Sequence, residues 1–493
     1  MAQAVLTRAS RQPSATPPPP CLSLSMAARA GGVLALWAAA WAPARAEDAA
    51  ACATDAACED DETEHVSLLM TRASVTRHAA EQADYLATTF DWLGRSPAMS
   101  LLAESQFERC TVAAGVDCGL EGMHGKPTLV FPGKGTTCLS GEDYAFAVYP
   151  GATDKLAFYF QGGGACWVAN GAFGRMPVMQ CTNDMEVALQ TSGGEWGILN
   201  RHNDLNPFKD WTIVEPLYCS GDAFVGHADV DFGGEVLKQR GYINALSAKE
   251  WALHNFKGQL ENFAVMGFSA GSLGTHSWAE ALLDAFSYKR ASVLLDSYGG
   301  IFPGSTQQAT IKEWGACETP LWPAMVKAKC RAGGVTVQFL LESAMRKHHD
   351  VAFGSIQSKQ DGSQIWFYKG MAQSWGMVPE MSITPAQFYS KTNDMYIHYR
   401  MAAPNFAVYY VAGGQHCFLT SSNLFYTAST AGKEAAAPDG TPMLHQWVER
   451  LVSHQSVRTE CAGSHAKNGV DTMSYCALNL ASLPLQLAAH RGA

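Results

Sequence analysis

The chain has no Cys-x-x-Cys pair, no Asn-x-Ser/Thr sequon and no internal repeat. The first absence argues against a zinc ribbon or a thioredoxin-like redox motif as the purpose of its 14 cysteines. The second leaves no acceptor for N-linked glycans. Positive charge is also short: 35 Lys and Arg face 45 Asp and Glu, for a net charge of −10. That balance excludes non-specific binding to nucleic acid, so no nucleic-acid partner is expected. Beyond residue 46 no apolar run is long enough to span a bilayer.

What is present points to a secreted globular protein. Apolar residues make up 47% of 493, enough for a large α/β domain with insertions. Residues 1–46 read as a signal-peptide region. Arg29 precedes an apolar run over 31–41, and Ala44-Arg45-Ala46 forms an A-x-A cleavage site, with Met26 as an alternative start. Its removal takes four Arg and no acid, leaving a net charge of −14. A signal together with many cysteines predicts disulfides and an extracellular or secretory-lumen location. Cys21 leaves with the signal, and the odd number remaining leaves one thiol free or intermolecular. Residues 47–104 are Ala-rich and partly acidic, with a helical stretch over 79–93, and read as a weakly ordered leader or propeptide. A catalytic domain is expected over 105–455, followed by a cysteine-bearing tail over 456–493.

Within that domain, 144–149 reads as an edge strand closed by Pro150-Gly151. Unbroken apolar runs follow at 156–160, 211–217, 263–266, 293–295, 351–356 and 406–411. Unbroken rather than alternating runs are expected of strands covered on both faces. Helices are expected over 244–260, 272–287, 340–347, 385–402 and 442–452. Thr384-Pro385 and Thr441-Pro442 supply an N-cap followed by Pro at the first helical position. Alternating strands and helices predict a doubly wound, mostly parallel α/β-hydrolase-like sheet with helices on both faces. Residues 165–205 and 301–335 break the pattern and read as cap insertions over the site.

The sharpest local signal is Gly267-Phe268-Ser269-Ala270-Gly271, between a buried strand and a helix. Small residues on both sides let a serine project from a strained strand-to-helix turn. Ser269 is therefore the candidate nucleophile. A serine hydroxyl needs a base, and the base needs an orienting acid. His416 lies in Gly413-Gly414-Gln415-His416, just past the strand 406–411, and is the candidate base. His348-His349 ends a helix, where a positive charge is merely favourable, and His276 lies on the helix after Ser269. Asp361, shortly after the strand 351–356, is the first candidate acid. Asp296, at the end of 293–295, is the alternative. Gly162-Gly163-Gly164 follows the strand 156–160 and can aim backbone N–H groups at an oxyanion, with Ala270 as a further donor. Phosphate binding by this loop is discounted, because no Gly-Lys-Ser/Thr follows.

Four segments, in this order, resemble the pectin acetylesterase family, which includes the Notum carboxylesterases. They are Tyr159-Phe160-Gln161-Gly162-Gly163-Gly164-Ala165-Cys166-Trp167, the run Tyr218-Cys219-Ser220-Gly221-Asp222-Ala223-Phe224-Val225-Gly226, the Gly267–Gly271 turn, and His416-Cys417. The stretch 361–368 is similar to the family's catalytic-aspartate segment. The resemblance covers roughly residues 105–455. It implies a Ser269–His416–Asp361 esterase with oxyanion donors from Gly163, Gly164 and Ala270. It also implies a Cys166–Cys181 disulfide and a disulfide-bonded Cys417. Two positions depart from the pattern: Ala165 stands where plant-type members carry Trp, and Ser272 where a further Gly is common.

The expected function is a serine carboxylesterase removing O-acetyl groups from a polysaccharide, with no metal and no cofactor. A deacylase for longer acyl chains on lipids or lipidated proteins is the second reading. A catalytically inactive glycan-binding module is the third.

Overall fold

The computed structural model describes residues 106–461, apart from 114, 173, 191, 193–195, 379, 422 and 439, together with 484–487. The expected signal region, the leader with its helical stretch, and most of the tail lie outside the described residues. The strands are β1 (Glu108–Thr111), β2 (Thr128–Phe131), β3 (Phe146–Tyr149), β4 (Ala152–Phe160), β5 (Gly164–Gly171), β6 (Gly174–Cys181), β7 (Trp211–Pro216), β8 (Ala228–Asp231), β9 (Val236–Gln239), β10 (Leu260–Phe268), β11 (Tyr288–Asp296), β12 (Ala352–Ser358), β13 (Phe406–Val411) and β14 (Glu460–Cys461). The helices are α1 (Met185–Gln190), α2 (Gly241–Asn255), α3 (Ala270–Leu283), α4 (Thr306–Glu313), α5 (Ala324–Arg331), α6 (Val337–Lys347), α7 (Gly362–Ser374), α8 (Pro385–Ala402), α9 (Leu424–Thr427) and α10 (Leu444–Val452).

Ten strands form one sheet in the order β1-β2-β3-β7-β4-β10-β11-β12-β13-β14. Only β3 runs antiparallel to its neighbours. Every residue of β7, β12 and β13 is buried, as the unbroken apolar runs require. Adjacent residues of β12 show where the helices lie. Ser355 Oγ meets the Tyr396 hydroxyl of α8 at 2.7 Å. A Cβ on Gly354 would meet Leu451 and Trp447 of α10 at 2.6 and 3.0 Å. Successive strand residues point to opposite faces, so α8 and α10 cover opposite sides of the sheet. The fold is the mostly parallel, doubly wound α/β-hydrolase-like one that the sequence predicts.

Some local expectations change. The strand near 144–149 is internal rather than an edge, because β1 and β2 pair outside it. Helix α2 starts at Gly241 rather than 244, because the Asp222 carboxylate accepts the Gly241 N–H at 2.8 Å. Leu260, expected to end that helix, begins β10. Helix α10 begins at Leu444, two residues later than Thr441-Pro442 suggests, with Met443 in the N-cap position. Helix α8 starts where expected, with Thr384 and Gln387 in a reciprocal capping box. Glu460–Cys461, from the segment read as a tail, joins the sheet beside β13.

The two irregular stretches stand outside the main sheet. They hold the hairpin β5–β6 with α1, and the short helices α4 and α5; a second hairpin, β8–β9, also lies outside it. Disulfides join Cys110–Cys118, Cys138–Cys219, Cys166–Cys181 and Cys317–Cys330. The Cys166–Cys181 pair implied by the resemblance staples the β5–β6 hairpin. These disulfides fit an oxidising compartment. Among the described residues, no helix is long and apolar enough to cross a membrane.

A carboxylate lies within the sheet's β7 strand. Glu215 of β7 is fully buried and accepts a hydrogen bond from the Tyr149 hydroxyl at 3.0 Å. Burial raises its pKa to about 8. A raised carboxylate pKa means that folding favours the protonated form. The associated stability is complete below pH 4.5 and is lost as pH rises through about 8. The loss is on the order of 5 kcal/mol between those limits. Glu215→Gln should flatten this part of the stability–pH curve and raise the melting temperature at pH 9 relative to the parent. Equal pH dependence in thermal melts of the two proteins would contradict it.

Candidate active site

Strand β10 delivers Ser269 at its carboxyl end, and α3 starts at the next residue. Ser269 has φ 51° and ψ −123°, a strained conformation for a residue with a side chain. The turn closes only because its flanks lack side chains. A Cβ on Gly271 would collide with the Phe160 carbonyl, and one on Gly267 with the Gly271 carbonyl. The strain turns the hydroxyl out of the sheet edge.

Ser269 Oγ lies 2.9 Å from His416 Nε2. The other ring nitrogen of His416 lies 3.0 and 2.9 Å from the two carboxylate oxygens of Asp361. Asp361 is fully buried and N-caps α7, accepting from the Gln364 backbone N–H at 2.9 Å and from Gln364 Nε2 at 2.9 Å. With Nδ1–H donated to Asp361, Nε2 is free to accept from the serine hydroxyl. Two loops meet here because β12 and β13 are parallel neighbours whose pairing continues past their ends. Lys359 N–H bonds to Val411 O, Gln360 N–H to Gly413 O, and Gly362 N–H to Gly414 O. Burial by itself would lower the pKa of His416. The Asp361 charge and hydrogen bond, helped by the Asp296 charge, outweigh it, and the pKa is raised above 6.5.

Asp296, the alternative acid, takes another place. Its carboxylate accepts the N–H groups of Phe418 and Leu419, each at 2.7 Å, and the Ser297 hydroxyl at 2.6 Å. Its carbonyl accepts the Ser269 N–H at 2.9 Å. Ser297 Oγ accepts the Cys417 N–H at 2.9 Å. One dipeptide thus holds Ser269 and the loop just past His416, while of the two carboxylates only Asp361 contacts the imidazole. Asp296 is also buried, which raises its pKa against the pull of these bonds. Nothing in the sequence points to this role of Asp296 or to Ser297.

The Gly-rich loop leaves β4 beside β10, so it faces the nucleophile turn. Gly163 and Gly164 have φ 156° and 73°. A Cβ on Gly164 would collide with the Gln180 carbonyl of β6. Among the described residues, no acceptor takes the N–H of Gly163 or of Ala270. Gln161 anchors the loop from below: its Nε2 donates to Ala188 O and Ser192 Oγ, both at 2.7 Å, and its Oε1 accepts the Tyr218 N–H at 2.7 Å. This anchor was not anticipated. A buried Gln directly before the glycines was its only sequence signal.

Other candidates lie elsewhere. His348 caps the end of α6 and sits 3.2 Å from Asp284. His349 is exposed, 2.8 Å from the Arg346 carbonyl. His276 is buried on α3 against Ser272 O at 2.7 Å, and burial lowers its pKa to about 4. Cys417, implied to be disulfide-bonded, is a free buried thiol. Its backbone φ of 62° turns the side chain into the main core, and the other described cysteines are all bonded. Burial, with the charges of Asp296 and Asp361, pushes that thiol's pKa well up. The two departures also find places. Ser272 Oγ donates to Tyr298 O at 2.9 Å, and Ala165 packs against the cluster of Trp167, Ala169 and Met371.

Comparison with curated proteins returns no match. A solved structure of the Wnt deacylase Notum from Drosophila is similar at 16% identity and a TM-score of 0.45, covering 66% of this chain and 93% of that one. Residues 121–318, which include the Gly-rich loop, the nucleophile turn and Asp296, match the pectinacetylesterase family model. The resemblance to the pectinacetylesterase family read from the sequence is thereby borne out over residues 121–318, and the chain is a hydrolase acting on carboxylic ester bonds.

Proposed function

We propose that this esterase removes O-acetyl groups from a polysaccharide by a serine acyl-enzyme mechanism, with Ser269 as nucleophile, His416 as base and Asp361 as orienting acid. The carrying observation is the unbroken chain of hydrogen bonds from Asp361 through His416 to Ser269. Ser269 Oγ attacks the ester carbonyl as His416 Nε2 takes its proton. Asp361 holds the imidazole tautomer and stabilises the cation that forms. The N–H groups of Gly163, Gly164 and Ala270 receive the oxyanion. His416 then returns the proton to the leaving sugar hydroxyl. Water, activated by the same imidazole, releases acetate and restores the serine.

The family match supports an acetyl ester as the scissile group. The surroundings of the loop support a short acyl chain. The Phe367 ring lies 3.2 Å from a Cβ position on Gly164 and packs, as Ala165 and Phe302 do, against the cluster of Trp167, Ala169 and Met371. A series of p-nitrophenyl esters tests this. Turnover should be fastest with acetate and fall steadily with chain length. A maximum at octanoate or longer would replace the acetyl reading with a long-chain deacylase. Failure of a fluorophosphonate probe to label Ser269 in folded protein would favour an inactive glycan-binding module.

A further inference from the structure

Helix α7 and strand β5 leave the site side by side. Helix α7 starts at Gly362, capped by Asp361, and β5 at Gly164. Phe367 packs on Gly164 at the near end. Farther along, Trp167 donates to Ser374 Oγ at 3.0 Å, and the Ala172 N–H lies 3.3 Å from the Trp375 carbonyl. At their far end they open into a cleft of about 480 Å³, shared with β6, β8 and α4. Its lining includes Trp375, Asn170, Arg175, Asp229, Lys312 and Glu313.

The distance is informative. From Gly164 to Val168 and Asn170, at strand rise, is about 13–20 Å. From Asp361 to Trp375, at helix rise, is about 21 Å. A single acetylated sugar held at Ser269 cannot extend that far, whereas a polymer chain can.

The chemistry of the lining is that of a sugar site. Trp375 is only partly buried and offers an apolar ring. Its indole N–H has no acceptor among the described residues, so packing rather than a hydrogen bond places it. Several polar groups are already oriented. Arg175 pairs with Glu313 at 3.0 Å and donates to Asp231 O at 3.2 Å, and Asp229 pairs with Arg240. Lys312 has no ion pair among the described residues and remains a donor. An aromatic face beside fixed donors and acceptors suits a ring with one apolar face and equatorial hydroxyls.

We infer that this cleft is a distal subsite that binds an uncleaved glycosyl unit of the polysaccharide whose acetyl group is removed at Ser269. The inference rests on the polysaccharide reading for its purpose, and its test is separate. The probe is a deacetylated oligogalacturonide titrated calorimetrically into the Ser269→Ala protein, with and without the cleft substitutions. Asn170 and Lys312 are exposed, so Asn170→Ala/Lys312→Ala keeps the fold, and Trp375→Ala removes the ring. The expected result is a Kd raised at least tenfold by the double substitution, with turnover of p-nitrophenyl acetate unchanged when Ser269 is present. Absence of binding to the Ser269→Ala protein, or binding that the double substitution leaves intact, overturns the subsite. Hydrolysis of acetylated pectin by the parent enzyme judges the polysaccharide reading independently.

Discussion

Ser269→Ala should lower kcat for p-nitrophenyl acetate by roughly 10⁴- to 10⁶-fold, the scale on which triad serines act. The turn should survive the change. Alanine keeps the Cβ that already tolerates φ 51° at this position, and the flanking glycines stay. The melting temperature should therefore match the parent's, so lost activity reports lost chemistry. Residual turnover should exceed the uncatalysed rate, because the backbone donors remain. A variant with activity within tenfold of the parent would remove Ser269 from the mechanism.

Asp361→Asn should lower kcat/KM by roughly 10⁴-fold, since an amide can hold the imidazole in the wrong tautomer. It should also move the acid limb of the pH–rate profile. The base must be neutral, so activity falls as pH drops through the raised His416 pKa, above 6.5 in the parent. Without the adjacent charge the limb should shift to lower pH. Asp296→Asn should behave differently. It weakens the hold on the Phe418 and Leu419 N–H groups without touching the imidazole. Its main effect should be a lowered melting temperature, with kcat/KM reduced by roughly 10- to 100-fold, about 1.4–2.7 kcal/mol. If Asp296→Asn equalled Asp361→Asn in rate loss and limb shift, the division of roles between the two carboxylates would be wrong.

Ser269, Asp361 and His416 could be named from sequence because each follows an apolar run by a short loop. Parallel neighbouring strands then carry those loops to one edge of the sheet. Asp361 and His416, 55 residues apart, meet through the register of β12 against β13. The supporting residues were illegible for the opposite reason. Gln161, Asp222 and Asp296 act on backbone groups that are far away in the chain, and no local pattern encodes such partners. Asp222 caps a helix that starts 19 residues later. The strands β1 and β2 were missed because they are short, and the outermost, β1, has no buried residue to mark it. Cys417 was misjudged from a resemblance, while its actual place depends on the left-handed backbone after the histidine.

The Asp296–Ser297 dipeptide has a consequence for how such an enzyme can diversify. The spacing of Ser269 and His416 is set from β11, within the sheet, by bonds that involve no part of the outer hairpins or of α4 and α5. Those outer segments can therefore lengthen, shorten or change their side chains without retuning the proton transfer. Changing the side chains of β5–β6 beyond Gly164, with the Gly-rich loop kept, is the natural route to a new specificity.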